Sequence, residues 1–347
     1  MAEAMAVVGN PASPHGLGRH ARELLEGARR TVAEHTGGAP EQVVFTAGAT
    51  EANNLALLGL RGPLLVGAAE HASVLEPVPD APRAPVDRDG LIDLAALTRL
   101  LNERRPRLIS VMLANNETGV IQPVAEVARL AHAADALVHC DAAQALGSDD
   151  WTLASLGVDL VSLSAHKLGG PPGVGALVLR PELAPAALIR GGGQEGRRRA
   201  GTPNLPGILG FAAALAHSSD GSAIAALRAR LEQGARAICP DLVILGAAAP
   251  RLPGIACLAA PGLRGEAQLM ALDLAGIAVG IGAACSSGRI GPSHVLAAMG
   301  VAPELAACTI RVSLGWSSTA ADVAAFLAGW AALHTRRREG RRIDVGR

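Results

Sequence analysis

Lysine is nearly absent from this sequence. Among its 31 lysine and arginine residues, only Lys167 is a lysine, although lysine is ordinarily one of the commonest residues. A bias toward arginine can replace any solvated positive charge, but a guanidinium stays protonated, whereas a lysine amine can lose its proton and form a Schiff base. The surviving Lys167, in the run Ser-Ala-His-Lys-Leu-Gly-Gly, therefore favours covalent binding of an aldehyde. The alternative is a stray surface lysine.

Tyrosine is absent, aromatic residues make up 2% of the chain, and the formal net charge is zero. A neutral chain has no long-range field that would recruit nucleic acid or anionic lipid, so we expect neither nucleic acid nor a membrane as a partner. We interpret the basic cluster at residues 336–342 as a solvated C-terminal tail, with an RNA or protein contact as the alternative.

The sequence also lacks any Cys-x-x-Cys pair. Its five cysteines are Cys140, Cys239, Cys257, Cys285 and Cys308. This spacing predicts neither a zinc site nor a disulfide framework, and it fits a reducing cytoplasm. The first residues show no positive region followed by an apolar stretch, so we expect no signal peptide.

Predicted strands and helices alternate regularly in the first half of the chain. This alternation favours an α/β fold with a mainly parallel sheet covered by helices. Polar clusters follow the predicted strands at residues 47–54, 70–71, 115–119, 141–144 and 166–167. Because ligands in such sheets bind beyond the carboxyl ends of the strands, we predict that these clusters form one composite site. We expect residues 1–220 to form a large cofactor-binding domain and residues 221–347 a smaller α+β domain.

The motifs, taken in order, resemble those of the cysteine desulfurases, which belong to the class V aminotransferase branch of fold type I enzymes that use pyridoxal 5'-phosphate (PLP). The likeness covers nearly the whole chain and is greatest for the NifS/IscS type. The matching motifs are Gly9–Ser13, Gly48–Glu51, Glu70–His71, Asn115–Gly119, Asp141–Gln144, Ser164–Lys167, Gly201–Pro203, Ala284–Gly288 and Ile310–Ser313.

The resemblance implies a role for each cofactor residue. Lys167 would form the Schiff base with PLP, Asp141 would pair with the pyridinium nitrogen, and Gln144 would hold the phenolate oxygen. His71 would stack on the ring and transfer protons. The phosphate would be held by Ala49, Thr50, Ser164 and His166, together with Thr202 from a neighbouring subunit, so that a homodimer shares its active sites.

The resemblance also implies the reaction. Arg311, helped by Asn116, would bind the carboxylate of L-cysteine. Cys285 would attack the substrate sulfur as a thiolate. The products would be L-alanine and a persulfide on Cys285, which an acceptor protein would receive for iron–sulfur cluster or thio-cofactor assembly. The other four cysteines lie in apolar contexts that predict core positions.

Two alternatives stay open. The chain could be another PLP enzyme of the same fold, such as a transaminase, epimerase, lyase or selenocysteine lyase; a transaminase would not need Cys285. It could also be a non-catalytic homologue that acts as an interaction partner. This second alternative follows from one departure: family members begin with a strand and turn that precede the first helix, whereas this sequence starts at Met1 inside that helix.

Overall fold

The chain folds into two compact units in the computed structural model. The structure describes residues 1–147, 151–217, 221–282 and 292–344, with side chains described up to residue 336. The first unit comprises Met1–Pro85, Ile92–Ala114 and Gln122–Ser219, and the second comprises Val86–Leu91, Asn115–Ile121 and Asp220–Arg347. Two short segments from within residues 1–220 therefore cluster with the second unit. The functional division at residue 220 stays a prediction.

The first unit is built on a seven-stranded sheet. Its strands are β1 Val43–Thr46, β2 Leu64–Gly67, β3 Arg83–Ala84, β4 Leu108–Met112, β5 Leu137–Asp141, β6 Leu160–Ser164 and β7 Gly175–Leu179. They lie in the order β1-β7-β6-β5-β4-β2-β3. Every residue of β1, β4, β6 and β7 is buried, as expected for a sheet covered on both faces.

Eight α-helices belong to the described part of the first unit. They are α1 Ala2–Met5, α2 Gly16–Thr36, α3 Ala49–Gly59, α4 Ala72–Leu75, α5 Leu94–Arg104, α6 Val124–Ala133, α7 Leu153–Leu156 and α8 Leu205–Ala216. Short 3₁₀ turns span Pro40–Gln42, Ala165–Leu168 and Gln194–Arg197. Asp93 caps α5 as its sequence predicts, because its side chain accepts the amides of Ala95 and Ala96.

The sheet is mainly parallel, as predicted, with one reversed strand. β2 pairs in parallel with β3 and β4, and the β4–β5 and β5–β6 pairs are also parallel. β7 runs antiparallel to both β1 and β6. The carboxyl ends of β1, β2, β4, β5 and β6 therefore share one edge of the sheet, and the polar clusters of the first unit follow these ends.

The second unit holds a three-stranded antiparallel sheet in the order β10-β9-β8. Its described elements are α9 Ser222–Ile238, β8 Val243–Ile244, β9 Ile255–Ala259, α10 Gly265–Asp273, α11 His294–Ala298, α12 Pro303–Ala306, β10 Thr309–Ser313 and α13 Ala320–Asp344. Trp330 is fully buried in its core and donates to Gln268 Oε1 at 2.9 Å, so the large ring also satisfies its polar atom.

The basic run at residues 336–342 continues α13, which extends to Asp344. The backbone of this run is therefore helical, and its interpretation as a solvated tail stays a prediction. In the described part of the chain, no helix combines the length and apolar character needed to cross a membrane.

Candidate active site

Lys167 lies in the 3₁₀ turn that follows β6 directly. This turn ends at Gly169, whose φ of 84° lies in the left-handed region that glycine adopts readily. Ser164 is buried at the end of β6, and its Oγ lies 2.9 Å from His166 Nδ1. Burial, and then the charge of Lys167, lower the pKa of His166. The sheet therefore presents a serine, a neutral histidine and the single lysine within four consecutive residues.

The N-terminus of α3 stands beside this turn. Its N-cap residue Gly48 has a φ of 151° and makes no side-chain capping bond. A side-chain Cβ atom added to Gly48 would lie 3.8 Å from Ser164 Oγ. A Cβ atom added to Gly175 would lie only 2.7 Å from the Cα atom of Gly48. The glycine at 175 thus lets the turn at Gly48 pack closely against β7, while Gly48 itself has a φ that residues with side chains rarely adopt. The amides of Ala49 and Thr50 begin a helix whose positive end suits an anion.

Asp141 ends β5 and is 6% exposed. Its Oδ1 accepts the Ala143 amide at 3.0 Å, and its Oδ2 accepts Asn53 Nδ2 at 2.7 Å. A carboxylate that accepts at both oxygens is held in one orientation, because neither oxygen can turn without losing a bond.

His71 is the N-cap residue of α4, shortly after β2. Its Nδ1 accepts the Ser73 amide at 3.1 Å and lies 2.8 Å from Ser73 Oγ. The preceding Glu70 is 1% exposed and accepts the Met112 amide at 2.6 Å. Burial and the nearby Asp141 charge raise the pKa of Glu70 well above its ordinary value, although the Met112 bond opposes this. Glu70 is therefore part of the buried structure, and His71 lies at the start of α4.

The structure places two further predicted cofactor residues in the first unit. Gln144 is half-buried in the turn that follows β5. Thr202 is exposed and lines a cavity of about 110 Å³ with Thr46 and Ala47, which lead into α3. Every predicted cofactor residue thus follows one of the strands of this sheet or precedes α8.

Arg311 and Asn116 belong to the second unit. Arg311 lies on β10, and its Nη1 donates to the main-chain oxygen of Asn116 at 3.0 Å. Its Nε is buried and has no hydrogen-bond partner among the described residues. A Cβ on Gly280 would lie 3.1 Å from Arg311 Nη2, so the glycine leaves room for the guanidinium. A half-buried cation with a buried, unused Nε donor fits the predicted role of binding a carboxylate.

The described cysteines are all buried, as the sequence predicts. They are Cys140, Cys239, Cys257 and Cys308. Burial raises the pKa of Cys257 to about 12, with Glu117 adding to the effect and Arg311 and Arg251 opposing it. Burial likewise raises the pKa of Cys140 well above its ordinary value. None of these thiols suits a nucleophile. Cys285, the predicted nucleophile, lies outside the described residues.

Sequence reasoning missed several polar residues that support the site. Asn53 and Ser73 connect Asp141 to His71. Glu117 accepts Ser293 Oγ at 2.6 Å, and Ser293 caps α11. Asn53 could have been noticed in the sequence, because it is a polar residue on the otherwise apolar buried face of α3. Its contacts with Ser73 and Asp141, and that of Glu117 with Ser293, join residues too far apart in sequence for any spacing pattern to reveal them.

These residues fit PLP. The α3 N-terminus, with a glycine N-cap, an adjacent serine hydroxyl and exposed Thr50, suits a phosphate. The buried Asp141 carboxylate suits a protonated ring nitrogen, and Lys167 supplies the amine. The three parts lie at the ends of β1, β5 and β6.

Comparisons with known proteins show what the whole chain is similar to. The family model for aminotransferase class-V matches residues 2–326. A cysteine desulfurase of Cereibacter sphaeroides is 45% identical, covering 91% of this chain and 86% of its own length. An IscS-like cysteine desulfurase of Mycobacterium tuberculosis is 39% identical, covering 94% and 90%.

Solved structures share the fold. A NifS-like protein from Rickettsia africae has a TM-score of 0.90 and 32% identity, covering 96% of this chain and 94% of its own. A structure described as SspA in complex with cysteine has a TM-score of 0.81 and 28% identity, covering 90% and 94%.

Proposed function

Because this chain belongs to the class V aminotransferase family, we propose that it is a PLP-dependent cysteine desulfurase. It converts L-cysteine to L-alanine and leaves the sulfur as a persulfide on Cys285. The observation that carries the proposal is the placement of the single lysine, the buried Asp141 and the uncapped α3 N-terminus at one edge of the sheet. The relatives described as cysteine desulfurases, over nine-tenths of the chain, supply the substrate.

Each residue has a chemical task. When PLP is bound, its ring withdraws electrons from the substrate carbon next to the amine. Asp141 would keep a proton on the ring nitrogen, which this withdrawal requires. The Lys167 amine would hold the cofactor covalently and would donate and accept protons at the reacting atoms. Ala49, Thr50, Ser164 and His166 would hold the phosphate, and Gln144 would hold the phenolate oxygen.

The substrate contacts come from other residues. Arg311 and Asn116 orient the cysteine carboxylate. His71 covers the ring and exchanges protons with the reacting atoms. The Cys285 thiolate attacks the substrate sulfur, so that a sulfur–sulfur bond forms as the carbon–sulfur bond breaks. The electron pair of the broken bond stays on the carbon, which takes up a proton to give L-alanine. The outer sulfur of the persulfide then passes to an acceptor thiol used in iron–sulfur cluster or thio-cofactor assembly.

We also propose that two chains form the working enzyme and that it acts in the cytoplasm. Thr202 of one chain would complete the phosphate site of its partner, consistent with its exposed side chain. A reducing compartment keeps the nucleophile as a thiol. Light scattering after gel filtration measures the mass of the PLP-loaded protein; a monomer would contradict the shared site.

The decisive experiment measures alanine formed from L-cysteine by the PLP-loaded chain and by its Cys285→Ser and Cys239→Ala variants. Cys239 is buried and serves as the matched thiol control. We expect alanine from the wild type and the control and none from Cys285→Ser. Unchanged activity of Cys285→Ser would identify a different PLP enzyme. A chain that binds PLP but forms no alanine would contradict the desulfurase assignment.

A further inference from the structure

A continuous set of hydrogen bonds joins the two ends of the proposed cofactor site. Asn53 Nδ2 lies 2.7 Å from Asp141 Oδ2 and 2.8 Å from Ser73 Oγ. Ser73 Oγ lies 2.8 Å from His71 Nδ1. Asn53 is fully buried, and Asp141 and Ser73 are also buried, so water does not compete for these bonds.

The donors of this set run in one direction. An amide nitrogen only donates, so Asn53 gives one hydrogen to Asp141 and the other to Ser73 Oγ. A serine hydroxyl has one proton. Ser73 Oγ accepts from Asn53, and because His71 Nδ1 already accepts the Ser73 amide, the serine proton is directed to that nitrogen.

The two contacts with Ser73 determine the tautomer of His71. Its Nδ1 receives the Ser73 hydroxyl and also the Ser73 amide, at 3.1 Å. A nitrogen that accepts two donors carries no proton, so the proton of the neutral imidazole sits on Nε2. The amide of residue 73 fixes this choice through the helix cap, and the Ser73 hydroxyl reinforces it.

We propose that Asn53 and Ser73 are positioning residues of this site: Asn53 orients the Asp141 carboxylate, and Ser73 holds His71 as the tautomer protonated on Nε2. The inference rests on the proposed function. It explains how His71 presents a proton donor to the ring or substrate while Asp141 presents an acceptor. Asn53 thereby joins the hydrogen bonds of both groups.

The first test is nitrogen NMR of the full chain labelled with ¹⁵N-histidine. His139 is the matched control, because it is buried, its Nδ1 and Nε2 lie 2.8 Å from Ser110 Oγ and Ser162 Oγ, and burial lowers its pKa to about 4. We expect His71, identified by a His71→Gln variant, to show protonated Nε2 and hydrogen-bonded Nδ1. Ser73→Ala should shift the Nδ1 signal of His71 and leave His139 unchanged, and Ser110→Ala should do the reverse.

Two results would overturn the assignment. One is a wild-type His71 that carries its proton on Nδ1 or exchanges between tautomers. The other is a Ser73→Ala spectrum in which the His71 signals do not move. The wild-type spectrum needs no variant, so the tautomer is decided even if a substitution prevents folding.

The second test compares Asn53→Ala with Asn54→Ala. Among the described residues, the neighbouring Asn54 donates to the main-chain oxygens of Thr50 and Ser73, so its loss disturbs the helix without touching Asp141. We expect Asn53→Ala to weaken PLP binding about tenfold, the scale of one hydrogen bond to a charged group, and Asn54→Ala to change it little. Equal effects of both variants would contradict the positioning role.

Different results would refute the proposed function and the positioning roles of Asn53 and Ser73. A wild-type chain that takes up no PLP contradicts the proposed function, and the histidine spectra then decide the inference alone. A wild-type chain that binds PLP and forms alanine, but whose Asn53→Ala variant binds PLP equally well, upholds the function and refutes the role of Asn53.

Discussion

Lys167 is the one position where an arginine-rich chain retains a primary amine. Arginine at this position keeps the positive charge but cannot bind an aldehyde covalently. We expect Lys167→Arg to lose the absorbance of covalently bound PLP and to lower alanine formation by about 10²–10⁴-fold, the range for a lost proton-transfer group. Absorbance spectra and single-turnover rates measure both effects.

A composition-matched control separates chemistry from charge. The double variant Lys167→Arg with Arg61→Lys contains one lysine, now at an exposed position. It should behave like Lys167→Arg alone. Recovery of activity in the double variant would show that the position of the lysine is unimportant.

The four buried cysteines should resist alkylation in the folded chain. With a pKa of about 12, Cys257 exists as thiolate in only about one molecule in 10⁴ at pH 8, and this fraction rises about tenfold for each pH unit toward 12. Because the thiolate is the reactive form, iodoacetamide at pH 8 should modify Cys285 and leave the buried thiols intact. Peptide mass spectrometry measures each site, and the same reaction in urea should label every cysteine. Rapid modification of Cys257 in the folded chain would contradict its burial.

At the residue scale, the sequence predicts the groups that carry chemistry better than the groups that support them. Lys167 and Asp141 follow strands and belong to recognisable motifs. Asn53 contacts a residue 88 positions away, and Ser73 acts through a hydroxyl that has no distinctive neighbours. Such contacts depend on how α3 packs against the sheet, and no local pattern encodes that packing.

At the scale of elements, one buried ion pair anchors the turn Gln194–Arg197, which lies between β7 and α8. Arg29 on α2 donates to both Glu195 oxygens at 2.8 Å, and Glu195 also accepts the Phe45 amide from β1 at 2.9 Å. Glu195 and Arg197 have φ values of 49° and 66°, which costs non-glycine residues energy. The ion pair therefore holds a strained turn on the sheet.

Breaking this pair should destabilise the chain strongly. Glu195→Ala removes the buried carboxylate and leaves Arg29 with the more exposed Glu26 and the Val43 main-chain oxygen. We expect a loss of about 3–5 kcal/mol of unfolding free energy, measured by urea denaturation. The exposed Glu126–Arg129 pair on α6 supplies the control, since Glu126→Ala should change stability little. Similar losses in the two variants would show that burial does not determine the effect.

The alternation of elements predicts the parallel part of the sheet but not the reversal of β7. Only residues 165–174 connect β6 to β7, and a parallel crossover needs about a dozen or more residues, usually with a helix. The short connection therefore forces an antiparallel strand, and loop length would have revealed it.

At the scale of the whole molecule, the proposed ligand residues divide between the two units. The residues proposed to hold PLP belong to the first unit, whereas Asn116 and Arg311, proposed to bind the substrate carboxylate, belong to the second. Cofactor binding alone should therefore stabilise the elements of the first unit preferentially. Free ligand suppresses, by mass action, the local unfolding events that would release it.

Hydrogen exchange with mass spectrometry tests this distribution. With free PLP at about 100 times its dissociation constant, amides whose opening releases PLP should exchange about a hundredfold more slowly. We expect this protection in α3 and at the ends of β5 and β6, and much less in β8–β10. Inorganic phosphate, which reproduces only the anion, should protect the start of α3 without protecting the end of β5. Protection by PLP that is as large in β9 and β10 as in α3 would show that the cofactor is held differently from the arrangement proposed for this chain.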